Sequence, residues 1–240
     1  MSYIRPDPVN EGVFYPDASI NTTEVSLYTR FAYKEKFVEG EFERLSLGSD
    51  YPIVEIQLGL GLQGVLDGDY NYKKLEIAVS DDINMGVYGH SDFRFTAGKI
   101  YGQMPFPLLE IHSGNETFFY DQRAFNLMNF FEFISDEYAT LMFTHHFDGF
   151  FLNKIPLMQK LKWREVVAFR TVAGRLDERH KRELVLPNNI FALDEPYVEL
   201  GAGIENIFKI IRIDGLWRLN YLDNPDISEF GLRGTLEFRF

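Results

Sequence analysis

The residues of this chain best suited to binding a metal ion are two short clusters of histidine and carboxylate side chains. One cluster holds His145, His146 and Asp148, and the other is the pair Glu110 and His112. If the first cluster lies on a strand, His145 and His146 point to opposite faces and cannot both bind one ion. His146 and Asp148 would share a face, but two ligands are too few for a closed zinc site. The sequence therefore predicts a polar lining of an interior, with no metal and no cofactor.

Two other motifs imitate functional sites without the context that those sites require. The run Gly59-Leu-Gly-Leu-Gln-Gly64 lies within an alternating segment and no helix is expected after it, so it lacks the setting of a nucleotide-binding turn. Glu132, Asp136 and Glu137 could serve acid–base catalysis, but no nucleophile stands beside a base. These carboxylates are instead expected to pair with interior cations, of which the candidates are Arg164, Arg212 and Arg218. We predict no catalytic residues and no enzymatic activity.

Composition excludes several further classes of protein. The 240 residues carry a formal net charge of −12, which argues against nucleic acid as a partner because phosphate binding requires basic patches. There is no Cys, so disulfides and thiolate metal sites are excluded. No apolar stretch approaches the ~18 residues of a membrane-spanning helix. The first residues lack the apolar core of a signal peptide, so the chain is either soluble or a fragment of a longer exported protein.

Apolar and polar residues alternate with a period of two, most cleanly in the last nine residues. One face of this segment holds Leu232, Leu236, Phe238 and Phe240. The other face holds Arg233, Thr235, Glu237 and Arg239. Because successive side chains of a strand point to opposite faces, the pattern predicts a strand with one apolar and one polar side. We expect Leu236, Phe238 and Phe240 to face lipid.

The same alternation predicts nine strands and an all-β fold. They are Glu24–Val38, Ile53–Val65, Tyr72–Asn84, His90–Tyr101, Tyr138–Phe151, Leu161–Arg175, Tyr197–Phe208, Ile211–Tyr221 and Leu232–Phe240. Many have about 9–13 residues, which is enough to cross a bilayer at a tilt. Short breaks between them favour an antiparallel up-and-down barrel. The expected architecture is a transmembrane β-barrel segment, preceded by an extended lead-in at 1–21 and occupying 22–240.

The segment 102–137 interrupts the alternation. It is rich in aromatic residues and is too long for an ordinary hairpin loop, since connections beyond ~12–15 residues are usually functional or disordered. Its apolar content argues against disorder. We therefore expect this segment to fold into the lumen of the barrel.

Several long phrases of the sequence carry a family resemblance. They include Tyr33-Lys-Glu-Lys-Phe-Val-Glu-Gly-Glu-Phe-Glu-Arg44, Met104-Pro-Phe-Pro-Leu-Leu-Glu-Ile-His-Ser-Gly-Asn115 and His146-Phe-Asp-Gly-Phe-Phe-Leu-Asn-Lys-Ile-Pro-Leu157. The chain resembles the outer-membrane insertase barrels of the surface-antigen superfamily. It is most similar to an uncharacterised outer-membrane family with an N-terminal carboxypeptidase-regulatory-like domain. The resemblance implies a barrel of sixteen strands, of which these nine are the C-terminal part.

The resemblance also implies a way of anchoring the in-folded loop. The superfamily carries an Arg-Gly-aromatic motif there, and Arg123-Ala124-Phe125 occupies the matching position with Ala in place of Gly. Thr171-Val-Ala-Gly174 stands where the superfamily has an acidic partner on the wall, so Arg123 needs another carboxylate. The candidates are Asp148, Asp214, Glu199 and Glu205. Both departures place insertase activity in doubt while keeping the architecture.

Two hypotheses about function follow. The first is a bacterial outer-membrane β-barrel with a structural, transport or membrane-protein assembly role, whose partners are the lipid bilayer and the missing N-terminal strands or a partner chain. The second is a soluble β-barrel that binds an apolar ligand. The two differ in the direction of the apolar face, which points outward in a membrane barrel and inward in a soluble one.

Overall fold

The computed structural model describes residues 3–6, 14–17, 19–40, 44–181 and 185–236. In chain order the strands are β1 (Tyr3–Pro6), β2 (Phe14–Asp17), β3 (Glu24–Ala32), β4 (Phe37–Glu39), β5 (Arg44–Ser46), β6 (Ile53–Gly61), β7 (Tyr72–Asn84), β8 (His90–Gly102), β9 (Glu110–Ile111), β10 (Phe133–Ser135), β11 (Glu137–His146), β12 (Arg164–Arg175), β13 (Phe191–Ala192), β14 (Tyr197–Ile207), β15 (Ile211–Arg218) and β16 (Phe230–Leu236). The helices are α1 (Pro156–Leu161) and α2 (Glu178–Lys181), with 3₁₀ turns at Gly86–Tyr88, Phe106–Leu108 and Leu152–Lys154. Among these residues no helix has the length and apolar character needed to cross a membrane.

Nine strands form one antiparallel sheet in the order β16-β15-β14-β12-β11-β8-β7-β6-β3. The prediction of an all-β antiparallel sheet of nine strands is therefore confirmed. The sheet is open: within the described part of the chain, β3 and β16 lie at opposite edges and do not pair with each other. This arrangement agrees with the expectation that the nine strands are part of a larger barrel.

Several predicted strands are shorter than the alternation indicated. The segment predicted as Glu24–Val38 ends at Ala32, because the left-handed backbone of Lys34 (φ 52°) interrupts it. The segment predicted as Tyr138–Phe151 ends at His146, where Asp148 (φ 53°) and Gly149 (φ 86°) begin a turn. In the sequence, the alternation continues past both strand ends. It reflects only the type of side chain at each position, so it did not show where the backbone leaves the extended conformation.

The two faces of the sheet differ in burial and in chemistry. On β15, Arg212, Asp214 and Arg218 are buried, whereas Ile213 and Trp217 are 46% and 44% exposed. We call the face that carries the buried side chains the inner face and the opposite one the outer face. Every second residue of each strand lies on the inner face, and the register pairs the inner-face residues of neighbouring strands with one another. The difference between the two faces therefore continues from β3 to β16.

Between β8 and β11 the chain folds over the inner face. We call residues 103–136 the inner segment. Its strands β9 and β10 form a small sheet with β13 that is separate from the nine-stranded one. The apolar core lies between the inner segment and the sheet, where Phe125, Met128 and Phe133 pack with Val172 and Tyr197. The division of the chain at residue 21 stays a prediction, and β1 and β2 form a hairpin within that lead-in.

The inner face is closely packed at Gly98. A Cβ at this position would lie 2.5 Å from the ring of Tyr138, which stands directly opposite on β11. We therefore expect Gly98→Ala to lower the free energy of unfolding by about 1–3 kcal/mol through overpacking. Gly234→Ala is the matched control, because the nearest atom to its Cβ would be 3.8 Å away. Denaturant titration measures both, and equal stability of the two variants would contradict the packing.

Candidate functional site

The inner segment is held to the sheet by a buried ion pair between Glu132 of the segment and Arg218 of β15. Both side chains are almost fully buried. Arg218 donates through Nη1 to Oε2 (3.0 Å) and through Nη2 to Oε1 (2.6 Å), which is the bidentate geometry of a strong Arg–carboxylate pair. Asn224 donates to Oε1 and the backbone N–H of Asn129 to Oε2, so each carboxylate oxygen accepts two hydrogen bonds. The sequence-based expectation that Glu132 pairs with an interior cation is confirmed.

A second contact joins the sheet to the backbone of the inner segment. Glu199 of β14 accepts hydrogen bonds from the N–H groups of Asn126 (2.9 Å) and Leu127 (2.8 Å) and from the hydroxyl of Tyr197 (2.7 Å). Glu199 is buried, so these donors replace the water that would otherwise solvate the carboxylate. Because Glu199 binds backbone N–H groups, this contact holds the inner segment in place without using the side chains of Asn126 and Leu127.

The third contact centres on Tyr120. Its hydroxyl accepts a hydrogen bond from Nη2 of Arg170 (2.8 Å), and the guanidinium groups of Arg170 and Arg212 lie 4.7 and 4.4 Å from its ring centroid. Arg212 also forms a bidentate pair with Asp214 on its own strand. Tyr120 therefore contacts the two cations through both its electron-rich ring and its hydroxyl oxygen. Cation–π contacts are stronger where water is excluded.

The prediction that Arg123 anchors the inner segment is wrong. Arg123 is exposed, and no ion pair joins it to another residue that the structure describes. Its backbone N–H donates to Asp121, and its side chain borders a small cavity beside Glu76 and Glu110. The physical reason is that the carboxylates of the adjoining sheet already have donors: Glu199 has backbone N–H groups and Asp214 has Arg212. The anchoring charges are reversed, with the carboxylate on the segment and the cation on the sheet.

The other predicted residues fall in three places. Phe125 is buried against Tyr197, with ring centroids 5.4 Å apart in an edge-to-face arrangement. Of the four predicted partner carboxylates, Glu199 contacts the inner segment. Asp148 and Glu205 lie instead beside histidines at the other end of the strands. Leu236 is 60% exposed on the outer face, and Phe238 and Phe240 lie outside the described residues.

The inner segment also contacts the edge of the sheet. The N–H of Tyr120 donates to the carbonyl of Gly234 on β16, and the N–H of Gly234 donates to the carbonyl of Phe118. These backbone groups of Gly234 point away from β15. The segment therefore occupies one position of an edge that would otherwise be open to strand addition.

Two groups of the inner segment, the partly buried Glu110 and the buried His112, are shifted in acidity. Burial, together with the neighbouring Glu76, raises the pKa of Glu110 to about 7. Burial lowers the pKa of His112 to about 4, and its Nε2 lies 2.9 Å from the hydroxyl of Ser135. His112 is thus neutral near pH 7 and bonds to a neutral partner.

Sequence reasoning missed Arg170, Tyr120 and Asn126. Arg170 could have been found, because it shares a face with Arg164 in the alternation of β12. Tyr120 and Asn126 lie in irregular backbone, where no periodicity marks the direction of a side chain. Their roles depend on the path of the inner segment across the sheet.

Comparison with known proteins identifies a family and a fold. The family described as "Family of unknown function (DUF5686) C-terminal domain" matches residues 3–180. Among solved structures, the chain is similar to the crystal structure of BamA from Haemophilus ducreyi lacking POTRA domains 1–3, with a TM-score of 0.55 and 11% identity. The likeness covers 97% of this chain and 45% of that one, so this chain spans less than half the length of the BamA chain. No curated protein matches. The fold is therefore an open, nine-stranded antiparallel sheet similar to part of the BamA structure.

The anchoring pair gives a direct test. Arg218→Ala leaves the charge of Glu132 buried without its cation, so we expect a loss of about 3–5 kcal/mol and rapid cleavage of the inner segment by protease. Arg123→Ala is the matched control and is expected to leave the segment protected. Limited proteolysis with mass spectrometry locates the cuts. Cleavage in the Arg123→Ala protein, with protection in Arg218→Ala, would reverse the assignment.

The role of Glu199 is tested at single amides. Glu199→Gln replaces one accepting oxygen by an N–H₂ donor that opposes the N–H groups of Asn126 and Leu127. We expect hydrogen exchange at these two amides to accelerate by about 10-fold or more, since one charge-assisted hydrogen bond contributes about 1.5–3 kcal/mol. Glu205→Gln, on the same strand, is the control and should leave both amides unchanged. Equal exchange in the Glu199→Gln and unmodified proteins would remove Glu199 from the anchor.

Proposed function

This chain belongs to the family of unknown function DUF5686, whose C-terminal domain it contains, and we propose that it forms the C-terminal part of a bacterial outer-membrane β-barrel. Its proposed role is structural or in membrane-protein assembly. The observation that supports this proposal most strongly is the difference between the two faces of the nine-stranded sheet: the outer face has exposed apolar residues and the inner face has buried charges.

The outer face is apolar from edge to edge. Leu27 near one edge is 60% exposed, and Leu232 near the other is 62% exposed. Between them, six outward residues stand in one continuous register row across β8, β11, β12, β14, β15 and β16: Phe93, Phe143, Phe169, Leu200, Trp217 and Phe230. Apolar surface continuous over a whole sheet is far larger than the patches that water-soluble monomers expose. A lipid environment accounts for it.

The inner face argues against the soluble alternative. A barrel that stores an apolar ligand needs an apolar interior, yet the buried inward side chains include Arg170, Glu199, Arg212, Asp214 and Arg218. The space beside them is filled by the inner segment. Charged, mutually paired side chains are typical of the lumen of a membrane barrel. We therefore favour the membrane hypothesis.

The open sheet calls for further strands as partners. Unpaired backbone groups at a strand edge are not tolerated in hydrocarbon, so β3 and β16 require neighbours within a bilayer. We propose that N-terminal strands of the same protein, or a partner chain, supply them. The strand count relative to the superfamily supports a barrel of the sixteen-strand type. An N-terminal carboxypeptidase-regulatory-like domain is part of the same proposal.

The inner segment bears on the role. A lumen crossed by a segment held by the buried pair Arg218–Glu132 is not an open diffusion pore, which favours a structural or assembly role over passive transport. Insertase activity is a weaker proposal, because Ala124 replaces the Gly of the superfamily motif and Arg123 is exposed. Fractionation of cell envelopes tests the localisation. We expect the native protein in the outer-membrane fraction, extracted by detergent alone, and recovery in the soluble fraction would refute the proposal.

A pair of neighbouring residues tests the direction of the faces. Leu141 on the outer face and Thr140 on the inner face lie near the middle of β11. Leu141→Arg is expected to cost about 2–4 kcal/mol of folding free energy in lipid, the cost of a cation near the bilayer midplane. Thr140→Arg enters a cavity beside Glu76 and Glu110 and is expected to cost less.

Folding into lipid vesicles, monitored by heat-modifiable gel migration, measures both variants. The detergent-solubilised proteins serve as controls for folding in the absence of a bilayer. Equal tolerance of Arg at positions 140 and 141 in vesicles would contradict the assignment of a lipid face.

A further inference from the structure

Two histidines and an aspartate meet on the inner face at the end of the strands opposite to the inner segment. His90 begins β8 and His146 ends β11, and the two are register partners with stacked rings whose centroids lie 4.5 Å apart. Asp92 follows His90 on the same face of β8. One ring nitrogen of each histidine and one carboxylate oxygen of Asp92 lie within 4.8 Å of one another.

Each histidine of this cluster is oriented by a carboxylate behind it. Nδ1 of His90 lies 2.9 Å from Asp148, which Arg164 contacts in turn at 3.0 Å. Nδ1 of His146 lies 2.7 Å from Glu205. Metal-binding histidines in proteins almost always donate their second N–H to a carboxylate or carbonyl, which fixes the ring and makes the other nitrogen more basic. The second ring nitrogen of His146, Nε2, lies 3.3 Å from Asp92.

The cluster also holds an excess of negative charge. Asp82 of β7 is the register partner of Asp92, and their carboxyl groups interact directly. Two adjacent carboxylates repel each other unless a proton or a cation lies between them. Together with Asp148 and Glu205, four carboxylates surround two histidines, and of these Asp148 is already paired with Arg164. A dication would compensate this charge where a single proton compensates only part of it.

An entry path leads to the cluster. A cavity of about 470 Å³ at this end of the sheet is lined by Asp50, Asp81, Asp82 and Asp92, with Lys36 at its border. The side chain of Asp92 is 49% exposed, whereas that of His146 is 3% exposed. A cation can therefore approach from the cavity side and meet Asp92 before the histidines.

From this geometry we propose that His90, His146 and Asp92 bind a divalent transition-metal ion, with Asp82 or water as the fourth ligand. Imidazole nitrogen with carboxylate oxygen is the donor set of zinc sites and of related transition-metal sites, whereas Ca²⁺ and Mg²⁺ prefer oxygen alone. Ligand atoms of a tetrahedral zinc ion lie about 3.3–3.5 Å apart. The rings of His90 and His146 are parallel in their stack, so binding one ion requires the two rings to rotate until both lone pairs point at it.

Neighbouring sequence alone did not reveal this set. Within a single strand, only two of the residues His145, His146 and Asp148 can share a face, which is too few for a metal site. His145 indeed lies apart from the cluster, since its Nδ1 is 2.7 Å from the hydroxyl of Ser91. The missing ligands come from β7 and β8, and Asp148 acts behind His90 as its orienting group.

Zinc binding to the chelator-stripped native protein in detergent tests the proposal. Competition against a chromophoric chelator gives the affinity, metal analysis gives the stoichiometry, and Co²⁺ absorption reports nitrogen ligation. We expect one Zn²⁺ per chain in the unmodified protein and in the His145→Gln control. His90→Gln and His146→Gln are expected to abolish stoichiometric binding. Asp148→Asn, which removes only the group behind His90, should weaken the affinity about 10- to 100-fold.

Heat-modifiable migration on gels establishes that each variant is folded. If His146→Gln fails to fold, Asp92→Asn replaces it, because Asp92 is half exposed. Absence of stoichiometric Zn²⁺ in the unmodified protein would overturn the proposal and leave His146 as a hydrogen-bonding partner of Asp92 and Glu205. Binding that is equal in the His90→Gln and His145→Gln proteins would also overturn it, since the metal would then lie elsewhere on the surface.

Discussion

The buried charges of the inner face require partners that water does not supply, and the rest of the structure follows from this constraint. Arg218, Glu199 and Arg170 point inward from neighbouring strands, and an unpaired charge in such a position costs several kcal/mol. The inner segment supplies Glu132, two backbone N–H groups and Tyr120 to these three side chains. The sheet and the segment are therefore complementary halves of one polar interior, and neither is fully paired without the other.

The same constraint explains why the anchor has the opposite polarity to the one predicted from the sequence. An arginine on the segment needs a wall carboxylate with vacant acceptor positions, and Glu199 and Asp214 already have donors. A carboxylate on the segment needs a wall cation, and Arg218 provides one. With the carboxylate on the inner segment and the cation on the sheet, the ion pair is still formed and Arg123 is exposed at the surface. The inner segment is thus held to the sheet without the Arg123 anchor that the sequence predicted.

The two ends of the inner face differ in the kind of pairing they use. Near the inner segment, carboxylates meet guanidinium groups, whose fixed charge and planar donors make permanent bidentate contacts. At the opposite end, carboxylates meet the ring nitrogens of His90 and His146, and imidazole is both a hydrogen-bond donor and a common metal ligand. The first arrangement is suited to holding a segment in place, and the second is suited to exchange of a ligand.

The sequence by itself determined the class of fold, the number of wall strands and the chemical difference between their faces, because a period of two is a local property of strand geometry. It identified Glu132 and Arg218 as members of the polar interior, since both stand out by charge. Only the tertiary structure decided that these two meet, that Glu199 contacts backbone rather than Arg123, and that His90 stacks on His146. Such pairings join residues far apart in the chain: Arg218 and Glu132 are 86 positions apart. They depend on strand register and on the path of irregular backbone across the sheet, neither of which leaves a periodic signal in the sequence.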